Sequence, residues 1–139
     1  MSDQKPDQKM AINMKTEVDG DLEEVITKTT QALSLKGFGV LTRIDLHVKL
    51  KEKLGKTIAP AVILGVCNPG LAYETYLANS DVASVMPCNA VIREVRAGRM
   101  SVELARPSEL MKLLGDSRLI AMVHAADRDL AEALELIRA

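Results

Sequence analysis

Strict alternation opens the patterned part of the chain. Ile12, Met14, Thr16 and Val18 share one parity and Asn13, Lys15 and Glu17 the other, which predicts a half-buried strand. Asp19-Gly20 turns the chain. Asp21 followed by Glu24 forms a capping box with Asp in the first place, and Leu22, Val25, Ile26, Thr29 and Leu33 keep helical spacing. A helix is therefore predicted over 21–36, with Gly37 as its left-handed stop. A second strand follows over 39–45, with Val40, Thr42 and Ile44 on one face. LHVKLKEKLGK then repeats leucine every four residues and predicts a short helix closed by Gly55.

Ala61 to Cys67 breaks the alternating pattern, because every position is apolar. A strand of that kind is covered on both faces, and it reads as the central strand of a sheet. With so few helices available, a second subunit is one source of cover, so a homodimer is expected. Asn68 and Pro69 suit the N-cap and first position of a helix whose apolar side would be Ala72, Tyr73, Tyr76 and Leu77. Asp81 would cap a further turn. Strands over 88–96 and 100–105 are joined at Ala97-Gly98, and Met100, Val102 and Leu104 share a face. Pro107 opens a short helix through Leu114. The stripe from Leu119 to Ile137 makes a long one over 117–138.

The resulting order is β-α-β-(α)-β-α-β-β-α-α, an α+β fold with one sheet and its helices mainly on one side. Residues 1–9 are Gln, Lys, Asp and Pro with few apolar side chains, and a disordered polar tail is expected there, ahead of a single domain over 10–139.

Composition narrows the function classes. The 139 residues include 18 basic and 19 acidic side chains, and only three aromatics. Neither a basic excess nor stacking platforms are present, so nucleic acid is not an expected partner. No apolar run approaches the length of a membrane span, and the N-terminus lacks an apolar leader core, so neither a membrane nor a secretory route is expected. Two cysteines make no disulfide scaffold, and a reducing cytoplasm with free thiols follows.

Candidate chemistry gathers around those cysteines. Cys67-Asn68-Pro69 is nearly reversed twenty residues later as Pro87-Cys88-Asn89. If the third and fourth strands are antiparallel neighbours, the two thiols approach. They could then act as a redox pair or as a thiolate near a helix start, or they could simply be small buried apolar residues. Asn68 is explained as a cap. Asn89 is harder to explain, since asparagine is disfavoured in strands. Tyr73 either packs on the sheet or walls a pocket. His47 is expected in solvent, His124 at the edge of the last helix's stripe, and Lys49, Lys51, Lys53 and Lys56 on a solvated face. Two thiols without a local histidine imply no metal, and no cofactor fingerprint is present.

Four segments together, GFGVLTRID, LKEKLG, ILGVCNP and MPCNAVIRE, resemble the family catalogued as domain of unknown function 302. The resemblance extends from about residue 10 onward. It implies a curved, mostly antiparallel sheet backed by helices, comparable with the TATA-binding saddle, and a homodimer. It implies no activity. The residues and the resemblance together suggest a non-catalytic module that binds a small ligand or a protein as a homodimer. Its candidate ligand-binding residues are Cys67, Asn68, Cys88, Asn89 and Tyr73. A thiol-based redox sensor or enzyme using Cys67 or Cys88, and a purely structural interaction protein, are the alternatives.

Overall fold

A computed structural model describes residues 11–138, and the expected polar tail lies outside them. Five strands form one open sheet: β1 (Asn13–Asp19), β2 (Gly39–Asp45), β3 (Ala61–Cys67), β4 (Cys88–Arg96) and β5 (Arg99–Ala105). Their order is β1-β5-β4-β3-β2, and every neighbouring pair is antiparallel. The helices are α1 (Leu22–Leu35), α2 (Leu46–Leu54), α3 (Pro69–Ala78), α4 (Pro107–Lys112) and α5 (Ser117–Arg138), with a 3₁₀ turn at Ser80–Val85. The fold is the α+β class expected.

α1 joins strands at opposite edges of the sheet, so it must cross a whole face. Its start is the predicted capping box: Asp21 accepts from the Glu24 amide, and the Glu24 carboxylate accepts from Asp21 N–H, both at 2.9 Å. Its end is a Schellman motif, with Phe38 N–H donating to Leu33 C=O and Gly37 N–H to Ser34 C=O. Gly37 takes the left-handed φ of 83° this requires. Buried Leu33 and Phe38 close the motif with an apolar contact.

α1 and α5 cover the face that carries Val62, Leu64, Ala90, Ile92, Val102 and Leu104, and together they enclose the main core. A second cluster of Val82, Met111, Leu119 and Val123 joins the 3₁₀ turn, α4 and the first half of α5. One buried group is out of place in this aliphatic interior. The Thr29 hydroxyl of α1 is fully buried and has no hydrogen-bond partner among the described residues. Thr29→Val removes that unpaired hydroxyl at nearly constant shape. It is expected to raise stability by about 1 kcal/mol in urea unfolding.

Four expectations about these elements are corrected. β3 lies one strand from the edge, not at the centre. On its second face Ile63 and Cys67 are half-buried, and Gly65 is buried without a second subunit because Thr42 and Pro87 stand over it. β2 does not keep Val40, Thr42 and Ile44 on one face. A bulge between Val40 and Thr42 shifts the register, so Val40 pairs with Val66 on the helix-facing side while Thr42 and Ile44 share the other face with Gly65 and Ile63. On α3 the apolar phase is different: Thr75 is buried and Leu71 and Ala72 are half-buried, while Tyr73, Tyr76 and Leu77 are exposed. The 3₁₀ turn is capped by Asn79, whose side chain accepts from Asp81 N–H, rather than by Asp81 itself.

Candidate functional site

β3 and β4 are antiparallel neighbours, and their register sets Val66 opposite Cys88. This brings the end of the Cys67-Asn68-Pro69 segment beside the start of the Pro87-Cys88-Asn89 segment. Cys88 has the parity of the core-facing positions. Cys67 has the other parity and pairs with Gly39 on β2. At the end of β3 the chain turns into α3, and there both cysteines border one cavity of about 40 Å³.

That cavity lies where the two hydrophobic clusters meet. Phe38 and Val66 reach it from the main core and Met111 and Val123 from the smaller one, with Leu71 and Thr75 of α3 between them. The lining is almost wholly apolar. Thr75 adds no free polar group, because its hydroxyl donates back to Leu71 C=O at 2.9 Å within its own helix. The volume is about that of one or two waters, but a water needs two to four polar partners, and these walls offer few.

Both thiols are free. Burial pushes the Cys88 thiol up to about 11, with the neighbouring Cys67 and Asp127 adding to the rise. Burial also raises Cys67. The start of α3 therefore does not produce the depressed thiol that a nucleophile requires. At neutral pH both groups are protonated and present small, polarisable, weakly polar surfaces.

Asn68 is the predicted cap, its Oδ1 accepting from Leu71 N–H at 3.1 Å. Its amide nitrogen also lies against the Gly37 turn, where a Cβ would stand 3.3 Å away. One side chain thus caps α3 and stands close against the turn that ends α1, at the rim of the cavity. Asn89 is separate from this group. It pairs with Gly65 on the face opposite α1 and α5 and is exposed there, bordering a broad depression. Tyr73 points away on the outer side of α3, 63% exposed, and does not line the cavity. The structure therefore brings together Cys67, Asn68 and Cys88 and leaves Asn89 and Tyr73 outside.

His47, expected in solvent, is half-buried. Its Nδ1 lies 3.1 Å from both the N–H and the C=O of Ala61, fastening α2 to the start of β3. His124 is exposed on α5.

Sequence reasoning passed over two acidic residues. Asp127 of α5 accepts from the Ser108 amide at 3.0 Å and from the Ser108 hydroxyl, and its charge acts on Cys88. Glu103 is 6% exposed within β5, on the face opposite α1 and α5, paired with Arg93. A glutamate is unusual at a mid-strand position, and that was the available signal.

The comparisons with known proteins agree with the fold. The family model described as Domain of unknown function DUF302 matches residues 14–137. The chain belongs to this family. Among solved structures it is similar to an uncharacterised conserved DUF302 protein from Bacillus stearothermophilus. The two share 28% identity at a TM-score of 0.85, over 93% of this chain and 100% of the other. No curated protein matches the chain. The DUF302 family carries no assigned activity, so the geometry of the site has to carry the functional argument.

Proposed function

We propose that this DUF302 protein is a non-catalytic binding module that works as a homodimer and takes a small apolar ligand between Cys67 and Cys88. The observation that carries this reading is the apolar cavity on which Cys67, Asn68 and Cys88 converge, at the seam between two hydrophobic clusters. A seam opens more readily than the inside of a single core, because separating the clusters breaks contacts along one surface only. The raised thiols favour ligand contact over the alternative of thiol catalysis. The free cysteines suit a cytoplasmic setting.

The dimer belongs to the same reading, on a different surface from the one the sequence suggested. Val40, Leu41 and Ile44 on edge strand β2, with Val48 and Leu54 on α2, are exposed large apolar side chains. α2 buries no residue of its own among those described. An edge strand flanked by such a helix is a natural place for a second copy to add its own edge.

Xenon under pressure tests the cavity. Amide shifts in ¹H–¹⁵N spectra are expected at Leu71, Thr75, Cys88 and Val123, and they should vanish in Cys88→Leu, which fills the space. Sedimentation tests the dimer, which Ile44→Lys should dissociate. Absence of xenon shifts at those four residues would remove the ligand reading. A wild-type monomer at micromolar concentration would remove the dimer.

A further inference from the structure

We infer that the face of the sheet opposite α1 and α5 carries a second binding site, centred on the Glu103 carboxylate, for a small neutral molecule that joins an N–H or O–H donor group to a short apolar body, as a primary amide does. The inference does not rest on the proposed function above, because it is argued from different polar groups, although Met86 and Pro87 border both places.

The argument starts from where Glu103 stands. In register it faces Lys15 on β1 and Val91 on β4, on the side opposite α1 and α5. A glutamate only 6% exposed must be paired. Its pairing is lopsided. Arg93 Nε donates to Oε2 at 2.9 Å, Arg93 Nη2 donates to the same oxygen, and the Ser101 hydroxyl adds a third bond to it at 3.1 Å. The other oxygen, Oε1, receives one long contact of 3.4 Å from Asn13 Nδ2. An ionised carboxylate offers about four lone-pair sites. Oε2 is saturated, and Oε1 retains acceptor capacity.

Glu103 borders a depression of about 410 Å³. That size lies within the range of roughly 300–1,000 Å³ typical of small-ligand sites. Val91 and Ala105 form an apolar floor beside the carboxylate, and Met86 and Leu110 wall it. Asn13 and Asn89 stand on the strands either side of β5 and bring two further amide groups to the rim. Asparagine is disfavoured in strands, and here both have a use.

Charge selects the ligand class. Arg93 neutralises Glu103, the one charged side chain lining the depression among the described residues, while Lys15, opposite Glu103 in register, does not line it. An anion would meet the open Oε1 lone pairs, and a cation would compete with an arginine already bound through two nitrogens. A neutral donor satisfies Oε1 without disturbing that pair. Its partner acceptor can take an Asn13 or Asn89 N–H, and its apolar part covers Val91 and Ala105.

Titration of the full-length protein with benzamide, benzoate and benzamidine, followed in ¹H–¹⁵N spectra, tests this. Benzamide is expected to shift the amides of Asn89, Val91 and Glu103 and the side-chain amide of Asn13, and to bind more tightly than either charged analogue. Glu103→Gln should weaken benzamide about tenfold, the loss expected for one charge-assisted hydrogen bond. Should that variant prove unstable, exposed Asn89→Ala provides the second measurement, with a weakening of about threefold for a lost neutral bond. The inference is overturned if benzamide shifts none of these groups, if benzoate or benzamidine binds as tightly, or if both variants bind benzamide like the wild type.

Discussion

Gly65→Ala is expected to cost about 2–3 kcal/mol of stability, the upper part of the range for inserting a methyl into filled space. Gly65 has an ordinary φ, so backbone freedom is not the reason for the glycine. Space is the reason. A Cβ built there would lie 2.3 Å from Thr42 Oγ1 and 2.8 Å from Pro87 Cγ. The threonine can rotate its hydroxyl away, but the proline ring cannot turn. Thr42→Ala should therefore recover only part of the loss when combined with Gly65→Ala, giving a coupling measurable in a double-mutant cycle. Urea unfolding of the four proteins checks this. A single-variant loss below about 0.5 kcal/mol would refute the steric argument, since that is the scatter of neutral surface changes. The effect should also reach the cavity. Pro87 borders it next to Cys88, so displacing the ring should change how fast Cys88 is alkylated.

The glycine shows which parts of this molecule were legible in advance. In AVILGVC it looked like one more small apolar position. Only the fold shows that it lies between Thr42 of β2 and Pro87, just ahead of β4, both distant in sequence. Local signals performed well wherever the physics was local. The Asp21–Glu24 box, Gly37, Gly55 and Asn68-Pro69 act within a few residues, and each fell where its spacing predicted. Burial on β5 was legible for Met100, Val102 and Leu104 through period two. It was not legible for Ser101 and Glu103, because their cover comes from β1 and β4. The bulge in β2 left no composition signal, and it rotated Val40 away from Thr42 and Ile44. On α3, two tyrosines and a leucine outweighed Thr75 in any hydrophobic count, yet the threonine faces inward because it can satisfy its hydroxyl on its own helix. The cysteine pair was legible as a place but not as a chemistry. Whether a thiol beside a helix start is activated or suppressed depends on how deeply the surrounding clusters bury it.

Asp127→Ala is expected to lower stability by about 2–3 kcal/mol and to make Cys88 ionise at lower pH, two effects that a neighbouring substitution can separate. α4 is six residues long, and its N-cap, Arg106, offers no side-chain bond. Asp127 reaches across from α5 instead, accepting from the Ser108 amide at 3.0 Å and from its hydroxyl. Removing the carboxylate strands two polar groups of a buried residue, and bonds to a charged acceptor contribute about 1.5–3 kcal/mol. The same charge raises the Cys88 thiol, behind burial and Cys67 in order of size. Asp127→Asn keeps an oxygen for Ser108 but removes the charge. It should therefore lose roughly half as much stability as the alanine variant, with the same fall in Cys88 ionisation. Because burial dominates, the thiol stays above its ordinary value of 9.0 in both variants. The pH profile follows from the sign. Folding favours the neutral thiol, so its contribution is complete below about pH 9 and disappears as pH rises through about 11. In the two variants that loss should finish at lower pH. Site-resolved iodoacetamide labelling across pH 8–11 by mass spectrometry, alongside urea unfolding over the same range, measures both effects. If Asp127→Asn left the Cys88 profile unmoved, the electrostatic link between the α4 cap and the cavity would be disproved, while a full loss of stability in that variant would show that the charge itself holds Ser108.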